Sequence, residues 1–71
     1  MEAFYFKNRV KYSNDTQAKD YSYYKFSKDG KITTISMYKR SLSSPKSITI
    51  PHGFEMIEKE EFERVKAELG F

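Results

Sequence analysis

The segment YSYYKFSKDGKITTISMYKR, Tyr21–Arg40, decides the fold. Two runs rich in aromatic and β-branched residues flank Asp29-Gly30, and such residues fit a pleated, half-buried surface. Asp-Gly between them is a strong hairpin signal, because both residues tolerate the positive φ of a tight turn. The segment predicts two antiparallel strands, 21–28 and 31–40. With a two-residue type I′ turn, Lys28 pairs with Lys31, Phe26 faces Thr33, Tyr24 faces Ile35 and Ser22 faces Met37. Tyr21, Tyr23 and Lys25 then share the opposite side with Thr34, Ser36, Tyr38 and Arg40. A three-residue loop, Lys28-Asp29-Gly30 with glycine as a bulge, shifts the pairing by one and moves Tyr21 and Tyr23 to the side of Ile35 and Met37. The two-residue turn separates apolar from polar residues more cleanly and is the expected register.

Upstream, Phe4, Phe6, Val10 and Tyr12 alternate with Tyr5, Lys7, Arg9 and Lys11. Period-two alternation predicts a half-buried strand over about 3–13. NDTQAK, Asn14–Lys19, is polar and reads as a loop. Downstream, SLSSPK (Ser41–Lys46) reads as a loop and SITIP (Ser47–Pro51) as a fourth strand ended by proline. The period then changes. Phe62, Val65 and Leu69 recur at helical spacing among charges, predicting a helix over about 58–69 with Gly70 as its stop. The order β-β-β-β-α predicts an α+β fold, a four-stranded antiparallel sheet with one C-terminal helix on one face. The helix should dock through Phe62, Val65 and Leu69 onto Phe4, Phe6, Tyr24, Ile35, Ile48 and Ile50.

The chain has 71 residues and no cysteine, so one domain must hold itself together without disulfides. So thin a core makes a homodimer an expectation. No apolar run approaches the ~20 residues of a membrane span. The N-terminus lacks the apolar stretch of a signal peptide, which makes the cytoplasm the expected compartment. Charge is unevenly distributed. Residues 1–53 hold ten Lys/Arg against four Asp/Glu, and residues 54–71 hold three against six. A basic body beside an acidic helix is the pattern of a polyanion-facing surface, and equally of a soluble domain with an ordinary acidic helix.

In the expected register, the sheet face away from the helix carries Tyr5, Lys7, Arg9, Lys11, Tyr21, Tyr23, Lys25, Tyr38 and Arg40. Aromatic rings on an open sheet offer unstacked bases a platform, at about 1–3 kcal/mol per stacked base. Lysine and arginine beside them neutralise phosphates. The first reading is therefore a small module binding single-stranded DNA or RNA. The alternative is a protein-interaction or inhibitory accessory module, of phage or mobile-element type, using the same face. Tyrosine is also simply a good strand former, and alternating cations keep edge strands from aggregating.

The layout of YYKFSKDGKITTISMYKR followed by SITIPHGFEMIEKEEFERVKAEL resembles the four-strand-plus-helix unit of the Pur-alpha, Whirly and positive-cofactor-four families. The resemblance lies in element order and charge pattern over roughly residues 4–69. It implies dimerisation and single-strand binding on the sheet, and transfers no individual residue. An SH3-like barrel with a terminal helix would give the same string of elements. No catalysis is expected. The lone His52 in IPHGF reads as a turn residue, and no phosphate loop, HExxH or nucleophile elbow is present. No metal site or cofactor is expected either.

Overall fold

The structure, a computed structural model, describes residues 3–9, 21–49 and 53–71. Five strands and one helix follow in order: β1 (Ala3–Arg9), β2 (Tyr21–Ser27), β3 (Ile32–Ser36), β4 (Ser41–Ser43), β5 (Phe54–Met56) and α1 (Lys59–Glu68). They form one antiparallel sheet in the order β4-β3-β2-β1-β5, with α1 on one side. The α+β class and the C-terminal helix are as expected. The sheet has five strands rather than four.

The hairpin takes the bulged register. Tyr23 pairs with Ile35, Tyr24 with Thr34 and Phe26 with Ile32. Type I′ needs positive φ at both central residues. Among the described residues only Arg40 among non-glycines has it, so Asp29 does not. Gly30 alone takes the left-handed conformation, at φ 88°. Its N–H donates to the Ser27 carbonyl (3.0 Å), and the Ser27 N–H donates to the Lys31 carbonyl (2.8 Å). Asp29 Oδ1 accepts from the Lys31 N–H at 3.0 Å, closing the turn. A three-residue loop with a glycine bulge is the result.

β3 ends at Ser36, four residues short of expectation. Met37–Arg40 form a turn that leads into β4, where a loop was expected, and Ser36 pairs with Ser41. Within the expected fourth strand, Ser47–Thr49 are irregular, and 50–51 lie outside the described residues. The other outer strand is instead β5, antiparallel to β1 with Lys7 opposite Glu55. The 10–13 end of the expected first strand also lies outside the described residues.

The helix begins after Glu58, which makes no side-chain cap, and places Glu60 and Glu61 in its first turn where the helix dipole favours them. Its C-terminus is a Schellman motif. The Gly70 N–H donates to the Ala67 carbonyl and the Phe71 N–H to the Lys66 carbonyl, with Gly70 at φ 80°.

Phe4 and Phe6 do share a face with Tyr24 and Phe26, as the alternation implies, for they pair directly across β1–β2. That face is not the one under the helix. Phe62 and Val65 pack on Tyr5, Tyr23 and Ile35, with Ala3, Tyr21, Met37, Leu42, Ile57 and Leu69 around them. Of the expected helix contacts, Ile35 is in this core, whereas Phe4, Phe6 and Tyr24 lie on the other face and Ile48 is half-buried outside it. Ile50 lies outside the described residues.

Candidate functional site

Strand alternation and pairing assign the face turned away from the helix. β1 contributes Phe4, Phe6 and Asn8; β2 Ser22, Tyr24 and Phe26; β3 Ile32, Thr34 and Ser36. β4 adds Ser41 and Ser43, and β5 adds Phe54 and Met56. None of these is charged. Phe6 is the hub, fully buried, with Tyr24 stacked on it at 4.6 Å between centroids. Phe26 and Phe54 meet Phe6 edge-on, each at 5.4 Å, and Phe4 tilts against it at 5.6 Å. The rings pack on one another as in a core. The outer margin is bare: Phe54 is 43% exposed and Met56 54%. Asn8 and Ser22 are buried polar residues on this face, and Thr34 Oγ1 is buried there with no hydrogen-bond partner.

The helix side is where the strand cations lie. Lys7 Nζ donates to Glu61 Oε2 at 2.9 Å, reaches Glu55 at 3.8 Å and sits 4.7 Å from the Tyr21 ring centroid. Burial pulls the Lys7 ammonium toward its neutral form, but the hydrogen bond and charge of Glu61, with Tyr23 and Glu55 behind them, outweigh it and raise its pKa. The Tyr23 phenol is also raised, chiefly by burial, against the opposing pull of Lys7.

Of the nine expected site residues, the eight that are described do not form one open face. Tyr5 and Tyr23 are buried in the helix-side core, the correction that follows from the bulged register and from the helix choosing the other face of β1. Lys7 is engaged with Glu61 on that same side, and Lys25, half-buried, lies across from Tyr5. Arg9 and Tyr21, both half-buried, pair at one end of β1 and β2. The turn with Tyr38 and Arg40 lies at that same end, both exposed, Tyr38 at 64%. Lys11 lies outside the described residues. The aromatic face of Phe4, Tyr24, Phe26, Phe54 and Met56 was not identified as a site from the sequence. Its only outer signal was the short alternation Phe54-Glu55-Met56 after Gly53.

A groove of about 460 Å³ opens between β1, β5 and the start of α1, lined by Ala3, Tyr5, Met56, Ile57, Glu58, Lys59 and Glu61. Of its two carboxylates, Glu58 and Glu61, the latter is held by Lys7. Among the described residues no cluster of His, Cys, Asp or Glu could hold a metal ion, and no helix is long and apolar enough to cross a membrane. His52 lies outside the described residues. No family model, curated protein or solved structure matches the chain.

Proposed function

We propose that this chain is a non-catalytic protein-interaction module whose docking surface is the aromatic sheet face opposite the helix. One observation carries the reading: Phe4, Tyr24, Phe26, Phe54 and Met56 share a face that holds no charged side chain among the described strand residues. A single-strand platform needs cations beside its rings to meet phosphates, and needs ring faces free for bases. Here Lys7 and Lys25 point to the helix side, and Tyr24 already spends a ring face on Phe6. The exposed apolar margin of Phe54 and Met56, beside half-buried rings, suits another protein surface.

The test pairs an apolar dye with a labelled single-stranded oligonucleotide. The wild type should bind the dye, Phe54→Lys and Met56→Lys should each abolish most of that binding, and the oligonucleotide should not bind below about 100 µM at low salt. Submicromolar oligonucleotide binding that is lost in Phe4→Ala or Tyr24→Ala would overturn the reading and make the face a stacking platform.

A second reading rests on the other end of the sheet. Tyr38, Lys39 and Arg40 are all exposed in the β3–β4 turn, next to the end that carries Arg9 and Tyr21. A single strand could stack on Tyr38 there. Tyr38→Ala would then weaken oligonucleotide binding while Tyr38→Phe kept it, and Arg40→Ala would flatten the salt dependence by about 0.7 in slope. Equal affinities for all three proteins would discard it.

A further inference from the structure

We infer that the partner of this module is an extended, lysine-bearing apolar peptide that adds to the open edge of β5 as a further strand; this rests on the docking reading above and names its partner. The register fixes which backbone groups are free. The Ile57 N–H donates to the Tyr5 carbonyl at 3.1 Å. Glu55, two residues back and opposite Lys7, therefore also turns its N–H and carbonyl toward β1. Phe54 and Met56 turn theirs outward. β5 is the last strand of the sheet, so among the described residues these groups have no ladder partner, and both residues are exposed. Donors and acceptors in a row at a sheet edge are satisfied by another strand. The opposite edge, β4, is Ser41-Leu42-Ser43 and presents no exposed apolar side chain.

The side chains of β5 select the partner. An incoming antiparallel strand sets one residue against Glu55, whose side chain lies on the helix side and is 60% exposed. Glu55 reaches Lys7 only at 3.8 Å, because the Lys7 ammonium is held by Glu61 at 2.9 Å. A lysine opposite Glu55 would pair with it. The next position on that side falls opposite Ile57, at the mouth of the groove lined by Ala3, Tyr5, Ile57 and Glu58, and suits an apolar side chain. Glu58 is exposed and makes no cap bond, so it adds a second negative charge at that mouth. Residues opposite Phe54 and Met56 lie on the aromatic side, where apolar side chains cover the exposed margin. From the residue facing Ile57 onward, the pattern is apolar, apolar, lysine, apolar. A second copy of β5 fits poorly, since antiparallel pairing centred on the strand sets Glu55 against Glu55.

Fluorescence anisotropy of the full chain with the labelled, acetylated peptide TVVKVT tests this. TVVKVT should bind saturably below about 1 mM, and TVVEVT about tenfold more weakly. Glu55→Lys should exchange that order. Met56→Pro removes only an outward N–H and leaves the ladder with β1 intact, as proline on an edge strand does. It should weaken TVVKVT by about fivefold relative to Met56→Ala, which shortens the side chain and keeps the N–H. Equal affinities for the two peptides, an order that Glu55→Lys leaves unchanged, or equal binding by Met56→Pro and Met56→Ala would each overturn the inference. So would a sedimentation mass of two chains that TVVKVT does not lower, which assigns the edge to a second copy. If no peptide binds while Phe54→Lys and Met56→Lys still lose the dye, the added strand is wrong and the docking reading stands. If the dye ignores both lysine variants, the docking reading falls and this inference with it.

Discussion

Tyr23 and Tyr24 are chain neighbours on opposite faces of β2. Tyr23 is 3% exposed beneath the helix, and Tyr24 is half-buried on the ring of Phe6. Tyr23→Ala should therefore cost about 3–5 kcal/mol, as large-to-small core changes do. Tyr24→Ala should cost about 1–2 kcal/mol, chiefly its ring contacts. Chemical denaturation of the two variants measures the order, and a larger loss at Tyr24 would reverse the register. Tyr23 and Lys7 also set an alkaline limit. Both hold their protons more tightly folded than unfolded. The stability they contribute is complete below about pH 10 and drains away as pH rises through the folded values. Tyr23→Phe should cost little at neutral pH and lose less of its thermal midpoint than the wild type between about pH 9 and 11. Parallel alkaline curves for the two proteins would show that Tyr23 does not carry the effect. That the sequence contained a tyrosine-rich strand was plain; which tyrosines it would bury was not, because DYSYYKF offers an aromatic residue to both faces.

At the scale of elements, two left-handed residues shape the sheet. Gly30 turns the β2–β3 hairpin, and a Cβ there would meet nothing within 4 Å. Gly30→Ala should thus cost only its backbone strain, about 1–2 kcal/mol. Arg40 takes φ 53° in the β3–β4 turn, a conformation that costs a side-chain-bearing residue similar strain. Arg40→Gly relieves that strain against a larger loss of chain entropy, so it should stabilise by about 0.5–1 kcal/mol and raise Tm by about 2–8 °C. An unchanged or lower midpoint would mean that Arg40 makes contacts worth more than its strain. The Asp29-Gly30 signal located the hairpin correctly, but the expected two-residue turn is replaced by a three-residue loop. Two- and three-residue loops both accept Asp-Gly, and the choice lies in the φ of Asp29 alone. β4 and β5 escaped pattern reading for another reason. At three residues each they are too short to display a period, and they exist as strands because β3 and β1 offer them edges.

On the scale of the whole molecule, the helix-side core among the described residues has only five buried side chains, Tyr5, Tyr23, Ile35, Phe62 and Val65, so each carries a large share of the stability. Val65 is 2% exposed against the sheet. Val65→Asp places a charge there without a partner, and in a domain whose stability is of the usual order of 5–15 kcal/mol it should abolish cooperative unfolding at room temperature. A thermal midpoint equal to wild type would disprove the core as drawn. What the amino-acid order determined by itself was local and periodic: the α+β class, the hairpin, the helix over about 58–69 with its Gly70 stop, and the sharing of one face by Phe4, Phe6, Tyr24 and Phe26. These follow from φ preferences and from the 2.0 and 3.6 periods, which act between near neighbours. Which face the helix covers was decided only in three dimensions. Both faces of the sheet are apolar enough to accept Phe62 and Val65, so periodicity is silent between them. The choice falls to contacts distant in sequence, the fit of Phe62 and Val65 among Tyr5, Tyr23 and Ile35 and the ion pair of Lys7 with Glu61. With the helix on that side, the phenylalanine row takes the opposite face of the sheet.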